Sequence, residues 1–200
     1  MRSSATATCV GMLALTAALS GCISGAFFPA EPASLAVGWT KDNSSSESGE
    51  RGLPPLVVAK YQVNAYTGGV PTGLLYVVSV SDVPLVDEQG EIQKELDARL
   101  TEKNVQLTER QKGSGSVGSD AAAFIWYDAV VPLLGKGYAV DARYTCAGNG
   151  EAVRIFGFAS TEGSSGLFGG GSTDLSSWEE LVGRAFPTQL GGMAASVRCS

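Results

Sequence analysis

The 200-residue chain predicts an α+β fold, an antiparallel β-sheet with helices packed on it. Three patterns carry that expectation. Residues 56–66 and 74–80 are rich in β-branched and aromatic side chains and are separated by Thr67-Gly68-Gly69, which marks two neighbouring strands. Residues 138–160 flank Asn149-Gly150, a dipeptide suited to a tight hairpin turn. Ile92, Leu96 and Leu100, and later Trp178, Leu181, Val182 and Ala185, recur at helical spacing.

The amino terminus carries a different signal. Arg2 precedes an apolar run from Val10 to Leu19, which ends in Ser20-Gly21-Cys22. A positive start, a short apolar centre and a small-residue end make a secretory signal, and such a run spans only about 15 Å as a helix, half of a bilayer core. Leu19-Ser20-Gly21-Cys22 resembles the lipobox of prokaryotic lipoproteins. The resemblance implies cleavage before Cys22 and a diacylglycerol on its thiol. It also implies an exported chain, lipid-anchored on the extracytoplasmic face of a cell membrane or envelope. Two or three acyl chains, each contributing about 0.8 kcal/mol per buried CH₂, would hold it there durably.

The chain therefore divides into a signal peptide at 1–21, a lipid anchor and flexible tether at 22–53, and a globular domain at 54–200. The tether contains Pro29, Pro32 and a run of Ser, Gly and charged residues over 41–52, with too little apolar surface to offset the entropy of ordering.

Within the domain, a helix is expected over 89–103. Asp87, Glu88 and Glu91 crowd its positive start, Lys103 lies near its end, Glu95 and Arg99 are spaced for an ion pair, and Asn104 suits a left-handed residue after it. A polar strand, a glycine-serine loop and an apolar strand over 121–131 follow. Gly113-x-Gly115-x-x-Gly118 matches a dinucleotide-binding pattern, but a strand rather than a helix follows it, so a flexible turn is the expectation. With Asn149-Gly150 at its tip, the hairpin pairs Cys146 with Val153, Tyr144 with Ile155 and Ala142 with Gly157 on one apolar face. The 163–173 run is glycine-rich but lacks the Gly-Lys-Ser/Thr ending of a phosphate loop. Capping boxes begin at Ser176 and Ser177, Pro187 closes the second helix, and Ala194–Cys199 form a last strand or tail.

Cys9 leaves with the signal and Cys22 takes the lipid, so Cys146 and Cys199 remain as an even pair in an oxidising compartment. They are expected to form a disulfide, which stabilises by about 4 kcal/mol on the chain-entropy model.

The order of elements over 56–199 resembles the PsbP-like fold. The likeness rests on the helix at 91–103, the Asn149-Gly150 hairpin, and Trp178-Glu179-Glu180-Leu181 leading into Ala195-Ser196-Val197. It implies a PsbP-like sandwich serving as an accessory or docking module, and it carries over no catalytic residue.

Charge and composition narrow the chemistry. Loss of residues 1–21, whose charged side chain is Arg2, takes the net charge from −6 to −7, and no basic run offers a nucleic-acid surface. Histidine is absent, so no Ser-His-Asp or Cys-His centre can form within the chain. No cofactor or metal is expected. The function expected is a membrane-anchored binding or accessory module for a protein or small-molecule partner. A hydrolase using carboxylates among Asp82, Asp87, Asp120, Asp128 and Asp141 is the enzymatic alternative, and a purely structural envelope protein is the third. A concave apolar pocket near Trp126, Tyr127 or the 163–173 run would locate a ligand.

Overall fold

The alternation read in residues 56–80 builds the middle of a sheet much larger than two strands. The computed structural model describes residues 27, 29–53, 57–68, 73–81, 87–161, 193–194 and 196–199. The expectations for residues 1–22, Asp82, the 163–173 run and the helix at 178–185 lie outside the described residues. The elements, in chain order, are β1 (Glu31–Pro32), β2 (Trp39–Lys41), β3 (Glu47–Leu53), β4 (Val57–Gly68), β5 (Gly73–Val80) and α1 (Glu88–Glu102). After the helix come β6 (Gln106–Val117), β7 (Asp120–Val131), β8 (Gly135–Thr145), β9 (Ala152–Ser160) and β10 (Val197–Arg198).

Eight of the strands form one antiparallel sheet in the order β4-β5-β9-β8-β7-β6, with β2 and β3 both pairing with β4 at its edge, while β1 and β10 make a separate pair. The fold is β-rich. Among the described residues α1 is the one helix of seven residues or more. That corrects the expected α+β sandwich with helices packed on the sheet, its PsbP-like form included.

The difference arises in two polar stretches. Residues 47–53, expected to be tether, run beside β4, and the glycine-serine run at 113–117, expected to be a loop, continues β6 up to a two-residue turn at Gly118-Ser119. Each is held by ladder hydrogen bonds to a strongly β-forming neighbour, and each uses glycine to admit that neighbour's aromatic ring. Gly49 lies opposite Tyr61, where an added Cβ would stand 2.6 Å from the ring, and Gly113 lies opposite Phe124, where it would stand 2.5 Å away. The apolar surface missing from these strands is supplied across the ladder.

The two faces of the sheet bury separate clusters. On one, the Ile92, Leu96 and Leu100 stripe of α1 packs over Val63, Tyr76, Val78, Phe156 and Phe158, as its spacing requires. Asp87 caps the helix by accepting from Gly90 N at 3.0 Å, and Asn104 follows it at φ 52°. Arg99, expected to meet Glu95, instead reaches Glu47 on β3 and Glu102.

On the other face, Leu75, Val77, Phe124, Val140 and Ile155 are covered by Ala30, Met193, Ala194 and Val197 from the two ends of the chain. Ala30 N donates both to Ser79 Oγ at 3.0 Å and to Glu151 Oε1 at 3.2 Å. The segment after it crosses the face to Trp39, which is buried opposite Gly68. Residues 30–41 are therefore part of the domain.

The β8–β9 hairpin keeps its expected faces but not its register. Tyr144 pairs with Val153 and Ala142 with Ile155, two residues away from the pairing read at the sequence level. The loop is longer than a two-residue turn: Cys146 N donates to Glu151 O and Gly150 N to Cys146 O, with Gly150 at φ 73°. Asn149 Oδ1 accepts from Glu151 N at 3.0 Å, so its side chain shapes the turn. A two-residue shift leaves each side chain on its own face, which is why the apolar assignment survived.

Candidate functional site

The β7–β8 connection presents the most unusual local chemistry in the described chain. Val131 pairs with Gly135, and Leu134 N donates to Val131 O at 3.0 Å, closing a turn with Pro132 and Leu133 at its centre. Pro132 suits the first central position. Leu133 sits at φ 69° in the second, where this kind of turn calls for glycine. A branched side chain in left-handed backbone costs about 1–2 kcal/mol. Leu133 nevertheless gains no burial in return, being 105% exposed. Val130, 38% exposed, extends the apolar tip.

Beside the tip, the outer ends of β6, β7 and β8 enclose a shallow depression of about 260 Å³ lined by Val130, Gln106, Thr108, Asp128, Lys136 and Tyr138, with Thr161 at its margin. Arg110 governs its border. The β6–β7 register shifts between Glu109 and Gln111, leaving Arg110 in a bulge that re-aims its side chain. Its guanidinium lies 5.1 Å from the Trp126 ring centre and 5.7 Å from that of Tyr138, and its Nε is 3.2 Å from Asp128 Oδ2. The two rings are 5.6 Å apart. Arginine over an aromatic pair, tied by a carboxylate, makes a semi-rigid polar rim beside an apolar knob.

The opposite face holds a second polar arrangement, under α1. Asp141 accepts two hydrogen bonds from Arg154, at 2.7 Å each, and a third from Arg143 at 3.1 Å. Arg154 also donates to Gln93 O at 3.3 Å and to Asp97 at 3.4 Å, so it ties the sheet to the helix. Arg143, Asp120, Ala121, Ala123 and Thr145 line an open depression of about 620 Å³ beyond the helix. Burial raises the Tyr127 phenol pKa on this side, and the Asp141 charge adds to the rise.

Among the described residues, the acids singled out in the sequence, Asp87, Asp120, Asp128 and Asp141, are not brought together as a catalytic pair. Asp87 caps α1, Asp120 accepts from Ala147 N at 2.9 Å, Asp128 meets Arg110 and Asp141 meets Arg154. Asp128 and Asp141 project from opposite faces, because Asp128 lines the depression on the Tyr138 side whereas Asp141 lies beneath α1 with Arg154. Trp126 and Tyr127 are likewise divided between the two faces. Cys146 and Cys199 are joined, with an S–S distance of 2.03 Å and a Cα–Cα distance of 5.7 Å. Among the described residues no group of three or more His, Cys, Asp or Glu could hold a metal ion, and no helix is long and apolar enough to cross a membrane.

No family model, curated protein or solved structure matches the chain. The β7–β8 tip was missed by sequence reasoning, which ended the apolar strand at Val131 and assigned nothing to Pro132-Leu133-Leu134-Gly135. Its one legible cue is Pro132 followed by a residue other than glycine.

Proposed function

We propose that the protein is an exported lipoprotein, anchored through Cys22, whose domain docks a protein partner through the β7–β8 tip and so works as a binding or accessory module. One observation carries this reading: Leu133 holds an unfavourable backbone conformation while fully exposed. Local strain without a folding return is the mark of a position kept for contact with something else. The partner implied is a protein with an apolar socket for Leu133 and Val130, and with polar groups meeting the Arg110–Asp128 rim and Lys136.

Leu133→Gly tests the docking role, because glycine relaxes the turn and removes only the knob. With a photo-crosslinking amino acid at Thr108, on the wall of the depression, cells should yield one dominant adduct in the Leu133 protein. Its yield should fall at least tenfold in Leu133→Gly while expression is unchanged. An adduct formed equally well by both proteins would overturn the assignment.

A further inference from the structure

The anchor and the fold together decide which end of the domain faces the bilayer. Ala30 is fixed to the sheet by Ser79 and Glu151, so the leash that follows Cys22 ends there rather than at residue 53. The eight Cα–Cα steps from Cys22 to Ala30 reach at most about 29 Å when fully stretched. Ala30 lies at the end of the sheet that carries the β8–β9 turn, since Glu151 is the residue that leads from that turn into β9. The β6–β7 turn belongs to the same end, where Asp120 accepts from Ala147 N. Leu133 lies at the other end, beyond the full length of β8, whose 11 residues extend about 33 Å from first to last at strand rise.

We infer that the domain stands with its Gly118-Ser119 and Ala147–Gly150 turns toward the lipid surface and the Leu133 tip held away from it. This rests on the Cys22 anchor proposed above. An inverted domain would lift Ala30 about 33 Å above the bilayer, more than the leash of about 29 Å can span. The chemistry of the lower end agrees. The domain is acidic overall, yet the tips of these two turns expose Gly118, Ser119, Ala147, Gly148 and Asn149, small and uncharged residues, with the half-buried Asp120 between them and the cationic Arg198 beside Gly118. The bilayer is the partner of that end, and the tip is left for a partner outside it.

The natural lipidated protein, reconstituted in phosphatidylcholine–phosphatidylglycerol vesicles, provides the test. A bio-orthogonal donor fluorophore is placed at residue 148, where an added Cβ meets no atom within 4 Å, or at residue 133, and energy transfer is measured to an acceptor on the headgroups. Transfer from 148 should exceed that from 133 by at least threefold. A 20-residue Gly-Ser insertion between residues 26 and 27 should reduce the contrast toward equality, because its root-mean-square reach is about 25 Å. Equal or reversed transfer in the uninserted protein overturns the orientation, and so does a contrast that the insertion leaves unchanged. Mass spectrometry on the same preparation separates the two levels. A lipid-free Cys22 defeats the anchor and the orientation with it, whereas a lipidated Cys22 with reversed transfer defeats the orientation alone.

Discussion

Removing the carboxylate of Asp141 would leave Arg154 buried without its main counter-charge. Both residues are almost fully enclosed, at 1% and 3% exposure, and Asp141 supplies the two shortest hydrogen bonds that the guanidinium makes. What remains for Arg154 in Asp141→Ala is the Gln93 carbonyl at 3.3 Å and Asp97 at 3.4 Å, the latter half-exposed and screened by water. Breaking one side of such a pair costs about 3–5 kcal/mol, much of it the penalty for the stranded charge. That is a large share of the roughly 5–15 kcal/mol by which domains are stable, and it should lower Tm by about 10 °C for a chain of this size. Urea unfolding with the disulfide intact measures it as a fall in midpoint at constant slope. Combining Asp141→Leu with Arg154→Met removes both charges and fills the space with apolar atoms, so the double variant should recover most of the loss. A single variant within about 1 kcal/mol of wild type, or a double variant no better than the single, would refute the view that this pair clamps α1 to the sheet.

Three further outcomes follow from the packing. Gly49→Ala and Gly113→Ala should each destabilise by about 1–3 kcal/mol, because the new methyl meets the Tyr61 or the Phe124 ring, and urea midpoints unchanged from wild type would return both stretches to linker status. Desolvation raises the pKa of the buried Glu151 carboxyl from its ordinary 4.5, with hydrogen bonds from Ser79, Ala30 and Asn149 holding the rise back. The folded state therefore binds this proton more tightly than the unfolded chain, and stability declines as pH climbs above 4.5 and through the folded-state pKa. Glu151→Gln should flatten that decline above pH 4.5, and parallel urea curves for the two proteins would contradict it. Cys146→Ala with Cys199→Ala opens a loop of sequence separation 53. It should cost about 4 kcal/mol and leave the segment around Ala194 and Val197 open to hydrogen exchange, which mass spectrometry reads directly.

Much of the core was legible because it is written in side-chain periodicity. The alternation of Tyr61, Val63 and Ala65, the stripe of Ile92, Leu96 and Leu100, and the faces of the β8–β9 hairpin all appear as read, since each depends on local spacing. Strand identity in 47–53 and 113–117 was hidden for a physical reason. Gly49 and Gly113 lower the local β-propensity, and the rings that compensate belong to Tyr61 and Phe124 on other strands, so no window centred on either glycine contains the stabilising partner. The hairpin register failed over the Cys146–Glu151 closure, which depends on backbone hydrogen bonds around Gly150 rather than on the apolar pattern. The disulfide was readable once Cys9 and Cys22 were set aside as signal and anchor residues, which left one pair, whereas the roles of Asp120 and Asp141 depended on which arginine or amide the fold brings beside them. The Arg110 rim was unreadable for the same reason, because a bulge decides where its side chain points.

Intact-mass analysis of the natural protein extracted from membranes tests the central proposal most directly. The account predicts a chain that begins at Cys22, carries a diacylglycerol on that residue, and holds Cys146 and Cys199 oxidised. A mature chain that keeps residues 1–21, or one whose Cys22 thiol is free, would contradict it.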